Sequence, residues 1–403
     1  MLAVPSVNNQ GILGSAHKLV PSLFVWMLVF VGIVSLSCQG STVVAWGAGK
    51  FVANPPDGTN YGQSIIPANL TNAVMVASGY SQSFALKSDG SIQNWGEDIL
   101  AGEGFYNDFP AGSNYESVAC GQYHSLALNK NSTVTAVGDD EYGQTEVPAN
   151  LSNVVAVACG WFNSLALKSN GTLSVWGADN VDYGQGSVPN NLSNVVAISA
   201  GAYFDVALKS DGTVFAWGEN DVGETNVPST LSNVVAIAAG GWHGLALKGN
   251  GTVVAWGLNG DGQANVPANL SNVVAIAAGN WHSVALKSNG TVVAWGDNSN
   301  GETNVPANLT NVIQIAAGDQ NSLALVGNGP PTVSALLSQP KFGTNGFSVS
   351  LPTQNGRVYQ LKYKNSLTNG AWQSLPLNAG TGTNLLLTDP AISSQRFYEA
   401  QRW

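Results

Sequence analysis

The residues from Leu270 to Asn308, LSNVVAIAAGNWHSVALKSNGTVVAWGDNSNGETNVPAN, repeat almost letter for letter the 39 residues before them, Leu231 to Asn269. A chain that repeats one unit folds by stacking copies of it, so this period restricts the fold more than composition does. Within the unit, NVVAIAAG, WHSVALK and TVVAWG are short runs rich in Val, Ile and Trp. Gly, Asn and Ser clusters separate them, and the pattern predicts three strands. The stretch before Val-Pro predicts a weaker fourth. A Trp-Gly dipeptide marks the copies at Trp46, Trp95, Trp176, Trp217, Trp256 and Trp295, with Val137-Gly138 filling the gap. An Ala/Ser/Cys-Gly step recurs at Gly79, Gly121, Gly160, Gly201, Gly240, Gly279 and Gly318.

A four-stranded unit of about 40 residues is the size of a propeller blade. The two series are out of phase. The first copy, STVVAWG from Ser41, lacks the strands before it, and the last, NVIQIAAGDQNSLALVG ending at Gly327, lacks those after it. Joining them predicts an all-β fold, a closed seven-bladed β-propeller whose last blade is built from both chain ends and leaves no open edge strand.

The pattern G-x-x-H-S-x-A-L-K-x-[ND]-G-[TS]-V-x-A-W-G-x-N-x-x-G-[QE] resembles the repeat of the regulator of chromosome condensation family. The resemblance covers about residues 41–327; SGYSQSFALK lacks its His and TVTAVG its Trp. It implies a seven-bladed propeller. Eukaryotic members of that family act as nucleotide exchange factors for a small GTPase, whereas a secreted bacterial branch includes inhibitors of β-lactamase. Fold is therefore better specified than function.

The expected division is an export signal or anchor over 1–40, the propeller over 41–327 and a small β module over 328–403. LVPSLFVWMLVFVGIVSLSC follows Lys18, with Ser35 and Ser37 placed like the small residues of a cleavage site, which predicts export. An uncleaved anchor over Leu19 to Ser37 and a lipid on Cys38 are the alternatives. Residues 332–403 carry Lys341, Arg357, Lys362, Lys364, Arg396 and Arg402 against Asp389 and Glu399. Alternation in GFSVSLP, RVYQLKYK, AWQSLPL, TNLLLT and QRFYEAQRW predicts five strands there, as a β-sandwich-like module.

The 41–327 segment holds 22 acidic residues against seven lysines and no arginine, a balance of −15. Phosphate readers need clustered Lys and Arg, so nucleic acid is not an expected partner. Lys87, Lys168, Lys209, Lys248 and Lys287 share one repeat position before an Asn-Gly, Asp-Gly or related turn, and are expected to ring one face as solvated charges.

The Gly-x-x loops, expected to ring the opposite face at the channel mouth, are aromatic: Tyr80, Tyr123, Trp161, Phe162, Tyr203, Phe204, Trp242 and Trp281. Only Asp319-Gln320, in the seventh, lacks such a ring. Phe51, Tyr61, Phe105, Tyr106, Phe109, Tyr142 and Tyr183 are expected farther out. Rigid aromatics on exposed loops supply contact area at low entropy cost, so these eight are the candidate binding residues for a protein or glycan ligand. Packing between blades is the alternative reading. The Trp-Gly tryptophans are expected in the core.

His124, His243 and His282 share a repeat position and are expected to be structural, bonded within their own blades, because a ring spreads them too widely for one metal ion. No serine-hydrolase elbow or complete calcium loop occurs, so neither a catalytic constellation nor a cofactor is expected. Cys120 and Cys159 stand where other copies have Ala and are expected as small buried residues. The expectation is an exported, noncatalytic binding protein. An exchange factor or an enzyme on the same frame is the alternative, for which the Gly96–Gly112 loop is the one candidate insertion.

Overall fold

A computed structural model describes residues 41–50, 60–96, 108–112, 114–327, 338–343, 346–352, 358–364, 373–380, 384–390 and 397–402. The segment expected to direct export, the residues 97–107 of the first-repeat loop, Phe51, Phe105 and Tyr106 lie outside them. Among the described residues, the chain between 42 and 326 forms seven three-stranded antiparallel sheets. Six are consecutive, at 73–96, 115–138, 154–177, 195–218, 234–257 and 273–296, and are here called blades one to six. The seventh takes Val312–Ala317 and Asn321–Val326 from the end of the repeat array and Thr42–Gly47 from its start, with Trp46 opposite Ser322.

In blade six the strands are Val273–Ala278, His282–Lys287 and Val292–Gly296. The middle strand of every blade is buried at five successive positions. A strand with one wet face would bury alternate residues; five in a row require cover on both faces, which the neighbouring blades supply. Leu286 and its equivalents Leu128, Leu208 and Leu247 are wholly buried. Each such side chain contributes about 1.5–3 kcal/mol.

Backbone geometry explains two invariant letters. The Asn of Leu-[Ser/Thr]-Asn has a left-handed φ of 56–58° at Asn153, Asn194, Asn233, Asn272 and Asn311, a conformation that Asn tolerates better than most residues. The Gly of Trp-Gly is also left-handed, φ 106° at Gly296, and an added Cβ there would meet Trp281 O within 3 Å.

The fourth strand expected before Val-Pro does not form. The Gly-[Gln/Glu] segment instead satisfies its donors locally, with Asn300 N bonded to Glu302 Oε2 at 2.8 Å and Thr303 N to Asn298 Oδ1 at 3.1 Å. It still lies along the following blade. Gln263 O accepts Trp295 Nε1 and Ser283 Oγ, both at 2.9 Å, and Glu302 O accepts Trp46 Nε1 at 2.8 Å and Ser322 Oγ at 3.1 Å. The Trp-Gly tryptophans are thus core residues whose indole N–H is bonded to the connector. Trp217 departs from this rule: its Nε1 has no partner.

The histidines bond across blades, not within them as expected. His124 Nε2 meets Ser164 Oγ at 2.8 Å, His243 meets Ser283 at 2.9 Å, and His282 meets Ser322 at 2.9 Å. Each serine proton is already given to a connector carbonyl, as Ser164 Oγ donates to Gln144 O at 2.7 Å, so each histidine donates through Nε2. Nδ1 of all three is buried with no partner. Protonating it would place a bare N–H in a dry interior, and burial pulls the three down to about 4, 3 and 4 in chain order. Blade three substitutes Asn163, whose Nδ2 donates to Asp205 Oδ2 at 2.9 Å. Burial raises the Asp205 carboxyl well above its ordinary range.

The C-terminal strands form two further three-stranded sheets, Ser338–Gly343, Gly346–Pro352 and Asn384–Asp389 in one and Val358–Lys364, Gln373–Ala379 and Phe397–Arg402 in the other. Phe347, Val349, Leu351, Tyr359, Leu361, Leu387 and Ala400 are their core. Six strands form, not five: the proline in SQPKFG hides the first from a pattern search. Leu377 N donates to Ser210 O at 2.8 Å, and Val358 and Leu377 join the hydrophobic cluster of blades four and five. These sheets therefore rest on the lysine-turn side, with Lys248 lining the cleft between.

Candidate binding face

The Ala/Ser/Cys-Gly steps of all seven sheets surround one cavity of about 70 Å³. An added Cβ at Gly79 would meet Gly121 O within 3 Å, and the same holds for each step onto the next until Gly318 meets Gly79 O. These glycines are required because the next blade's carbonyl occupies the space of a side chain. Cys120 and Cys159 line this cavity as free thiols, and burial pushes Cys120 up to about 12 and Cys159 well up. Burial of this kind disfavours the thiolate, the reactive form.

The two residues after each glycine have different places. The first, Tyr80, Gln122, Trp161, Asn280 or Asp319, lines the cavity. The second carries Tyr123, Phe162, Tyr203, Trp242 and Trp281, all partly exposed. Trp161 and Trp242 have ring centroids 4.8 Å apart at 82°, Trp242 and Trp281 4.5 Å apart at 31°. The array continues from Trp161 to Tyr203 at 5.7 Å, Tyr203 to Phe162 at 5.5 Å, Phe162 to Tyr142 at 4.9 Å and Phe162 to Tyr123 at 5.7 Å. Offset and edge-to-face pairs of this kind add about 0.5–1.5 kcal/mol each and hold the rings in place.

Phe204 does not belong to this face. It is 1% exposed, at the first position of the middle strand where other blades have His, with its ring against Gly201. Tyr80 sits apart from the array, beside Tyr61 at 6.0 Å. Of the outer aromatics, Tyr61 is buried, Tyr183 is exposed and stands on Tyr203 at 5.2 Å, and Phe109 packs on Phe84 and Tyr115 at 6.0 and 5.6 Å.

The sequence places Asp319 in the seventh channel-mouth loop but does not show the polar sector it builds there with Asn280. Asn280 Nδ2 donates to Asp319 Oδ1, and Asp319 N to Gly79 O at 3.1 Å. Burial raises the Asp319 carboxyl to about 6, with Asp297 adding to the rise against the Asn280 bond. Burial and the Asp319 charge push Tyr80 up to about 12. A lone acid in a loop is an ordinary turn residue in sequence; only its register with Trp161 and Asn280 marks it.

Among the described residues, no three His, Cys, Asp or Glu side chains gather to hold a metal ion. The Asp and Asn side chains of the connectors bind backbone instead, as Asp140 Oδ1 does with Thr145 N at 2.8 Å. No helix among the described residues is long and apolar enough to cross a membrane.

Residues 115–144, 154–185, 195–224, 234–263 and 273–302 match the family described as the regulator of chromosome condensation (RCC1) repeat. Five segments of the chain are thus similar to RCC1 repeats. No curated protein matches the sequence. The repeat region is similar to the structure of Prp20p from Saccharomyces cerevisiae, described with its binding to Gsp1p and histones: 20% identity, 73% of this chain and 93% of that one, TM-score 0.59. Human WBSCR16 is similar at 21% identity over 72% of this chain and 100% of that one, TM-score 0.54. The ectodomain of the Physcomitrella patens receptor kinase CR4 is similar at 19% identity over 66% and 75%, TM-score 0.51. At these identities the likeness establishes an RCC1-like propeller fold and nothing finer.

Proposed function

We propose that this chain is an exported, noncatalytic protein-binding molecule, a closed seven-bladed propeller that recognises a protein partner through the aromatic face around its central cavity. The pairing of Thr42–Gly47 with Asn321–Val326 and the return of the glycine contacts from Gly318 to Gly79 support closure. The apolar run ahead of Ser37 supports export. Binding rests above all on one observation: Trp281, Trp242, Trp161, Tyr203, Phe162 and Tyr123 form an unbroken array of partly exposed rings. Rings locked by one another lose little freedom on binding, which is what interface hot spots need. The turns on the other side are polar, and the C-terminal sheets already occupy them at blades four and five.

The likeness to Prp20p makes protein recognition by this fold a reasonable extension, and the −15 balance of the repeat region favours a basic partner over an acidic one. Its buried histidines and Asp205 are committed to contacts between blades, which supports a binding rather than a catalytic role. The test is affinity capture from the native extracytoplasmic fluid with wild type, Trp242→Ala/Trp281→Ala and Lys168→Ala/Lys287→Ala proteins. The tryptophan variant loses the captured protein and the lysine variant keeps it. Loss in the lysine variant alone, or capture of glycans without protein, contradicts the proposal.

A further inference from the structure

The cavity mouth combines features that aromatic recognition alone does not use. Trp161 and Asp319 line the same space of about 70 Å³. Asp319 is 7% exposed, yet one carboxylate oxygen, Oδ2, receives no hydrogen bond from any described residue. Lys209 pairs with Asp211 on the opposite side, and no described lysine forms an ion pair with Asp319. A mostly buried carboxylate without a counter-charge is costly to ionise, and a cation at Oδ2, which is not among the fully enclosed atoms, offsets that cost.

We propose that the mouth is a receptor for a single lysine side chain of the protein partner, its ammonium bonded to Asp319 Oδ2 and its stem lying against Trp161. This rests on the reading of the aromatic face as the protein-binding surface. Asn280, by holding Oδ1, orients the carboxylate and leaves Oδ2 for the incoming donor. Trp161 offers the apolar wall that a lysine stem prefers and the π face that attracts its head. Tyr80, half-buried on the same rim with its phenol kept protonated, brings no competing charge. The acidic repeat region draws such a partner in.

The experiment titrates the purified protein with n-butylamine at pH 7.5, with n-butanol as the neutral analogue of equal heavy-atom count. The indole N–H resonance of Trp161 is followed by NMR. n-Butylamine shifts it saturably and n-butanol does not. Asp319→Asn weakens the amine at least about tenfold while the other indole resonances keep their native positions, and Asp211→Asn, an equal charge change on the far side, leaves affinity unaltered. Absence of a saturable amine shift, an equal response to n-butanol, or equal weakening by the two Asp→Asn variants overturns the lysine receptor. If capture still depends on Trp242 and Trp281 after such a failure, the receptor alone is wrong. If the amine binds as expected but capture ignores both tryptophans, the face reading fails and the assignment to a partner's lysine fails with it.

Discussion

Trp161 of blade three reaches past blade four to pack edge-on against Trp242 of blade five, ring centroids 4.8 Å apart. At the position that follows the glycine, blade four has Ala202 and blade five Gly241, neither with a large side chain, and Ala202 N is bonded to Gly241 O at 3.0 Å. Truncating either ring therefore loosens the other. A double-mutant cycle of Trp161→Ala and Trp242→Ala, read by denaturant unfolding, gives a coupling of about 0.5–1.5 kcal/mol. Additive effects would show the rings to be independent.

The glycine contacts make a sharp contrast. Gly279→Ala places a Cβ within 3 Å of Gly318 O and cuts stability by about 2–3 kcal/mol or more, since backbone cannot yield as a side chain does. Gly260→Ala meets nothing within 4 Å and changes stability by less than about 0.5 kcal/mol. Thermal unfolding of the two variants side by side checks this.

The interblade histidines make the fold acid-labile. Their folded values, about 4, 3 and 4, lie below the ordinary 6.5, so the unfolded chain binds protons first. The stability they contribute is complete above pH 6.5 and drains as pH falls toward 4. Moving a titration by one pH unit takes about 1.4 kcal/mol, so each histidine accounts for roughly 2–3 kcal/mol by pH 4.5. His282→Asn, the residue that blades three and seven use at this position, should flatten part of the loss in urea melts at pH 7.5, 5.5 and 4.5. An unchanged pH profile would contradict the donor arrangement.

Asp319 acts in the opposite sense. Its folded value, about 6, lies above the ordinary 3.8, so the stability linked to its proton is complete below 3.8 and lost as pH rises through 6. Ionising it at pH 7.5 costs about 3 kcal/mol at most. Asp319→Asn therefore raises the melting temperature at pH 7.5, with the gain vanishing near pH 3.5. A variant that is less stable at both pH values would show that the carboxylate is structural and not retained for a ligand.

Much of the blade is legible in sequence because period and strand chemistry agree: buried Val-Ala alternation, Asn at a left-handed φ and Trp-Gly at a strand end all repeat in register. The fourth strand is not, because the Gly-[Gln/Glu] connector bonds to itself, a matter of side-chain reach that propensity does not capture. Residue type alone puts Phe204 on the face, although aligning it with His243 and His282 puts it one step inside the strand. The cross-blade pairing also leaves a trace in sequence. Asn163 faces Asp205 where His124 faces Ser164, and the blade after Phe204 has Gly244 at the serine position. Asp319 shows in sequence only as the non-aromatic member of the channel-mouth loops, because its partners lie in a cavity assembled from several distant repeats.

Hydrogen exchange on the purified protein with and without its captured partner tests the central claim most directly. The account expects slowed exchange in the segments 121–123, 160–162, 201–203, 240–242 and 279–281, with the turns at 249–251 and 288–290 unchanged. Protection confined to those turns, or to the C-terminal sheets, with the five aromatic loops exchanging as in the free protein, would contradict it.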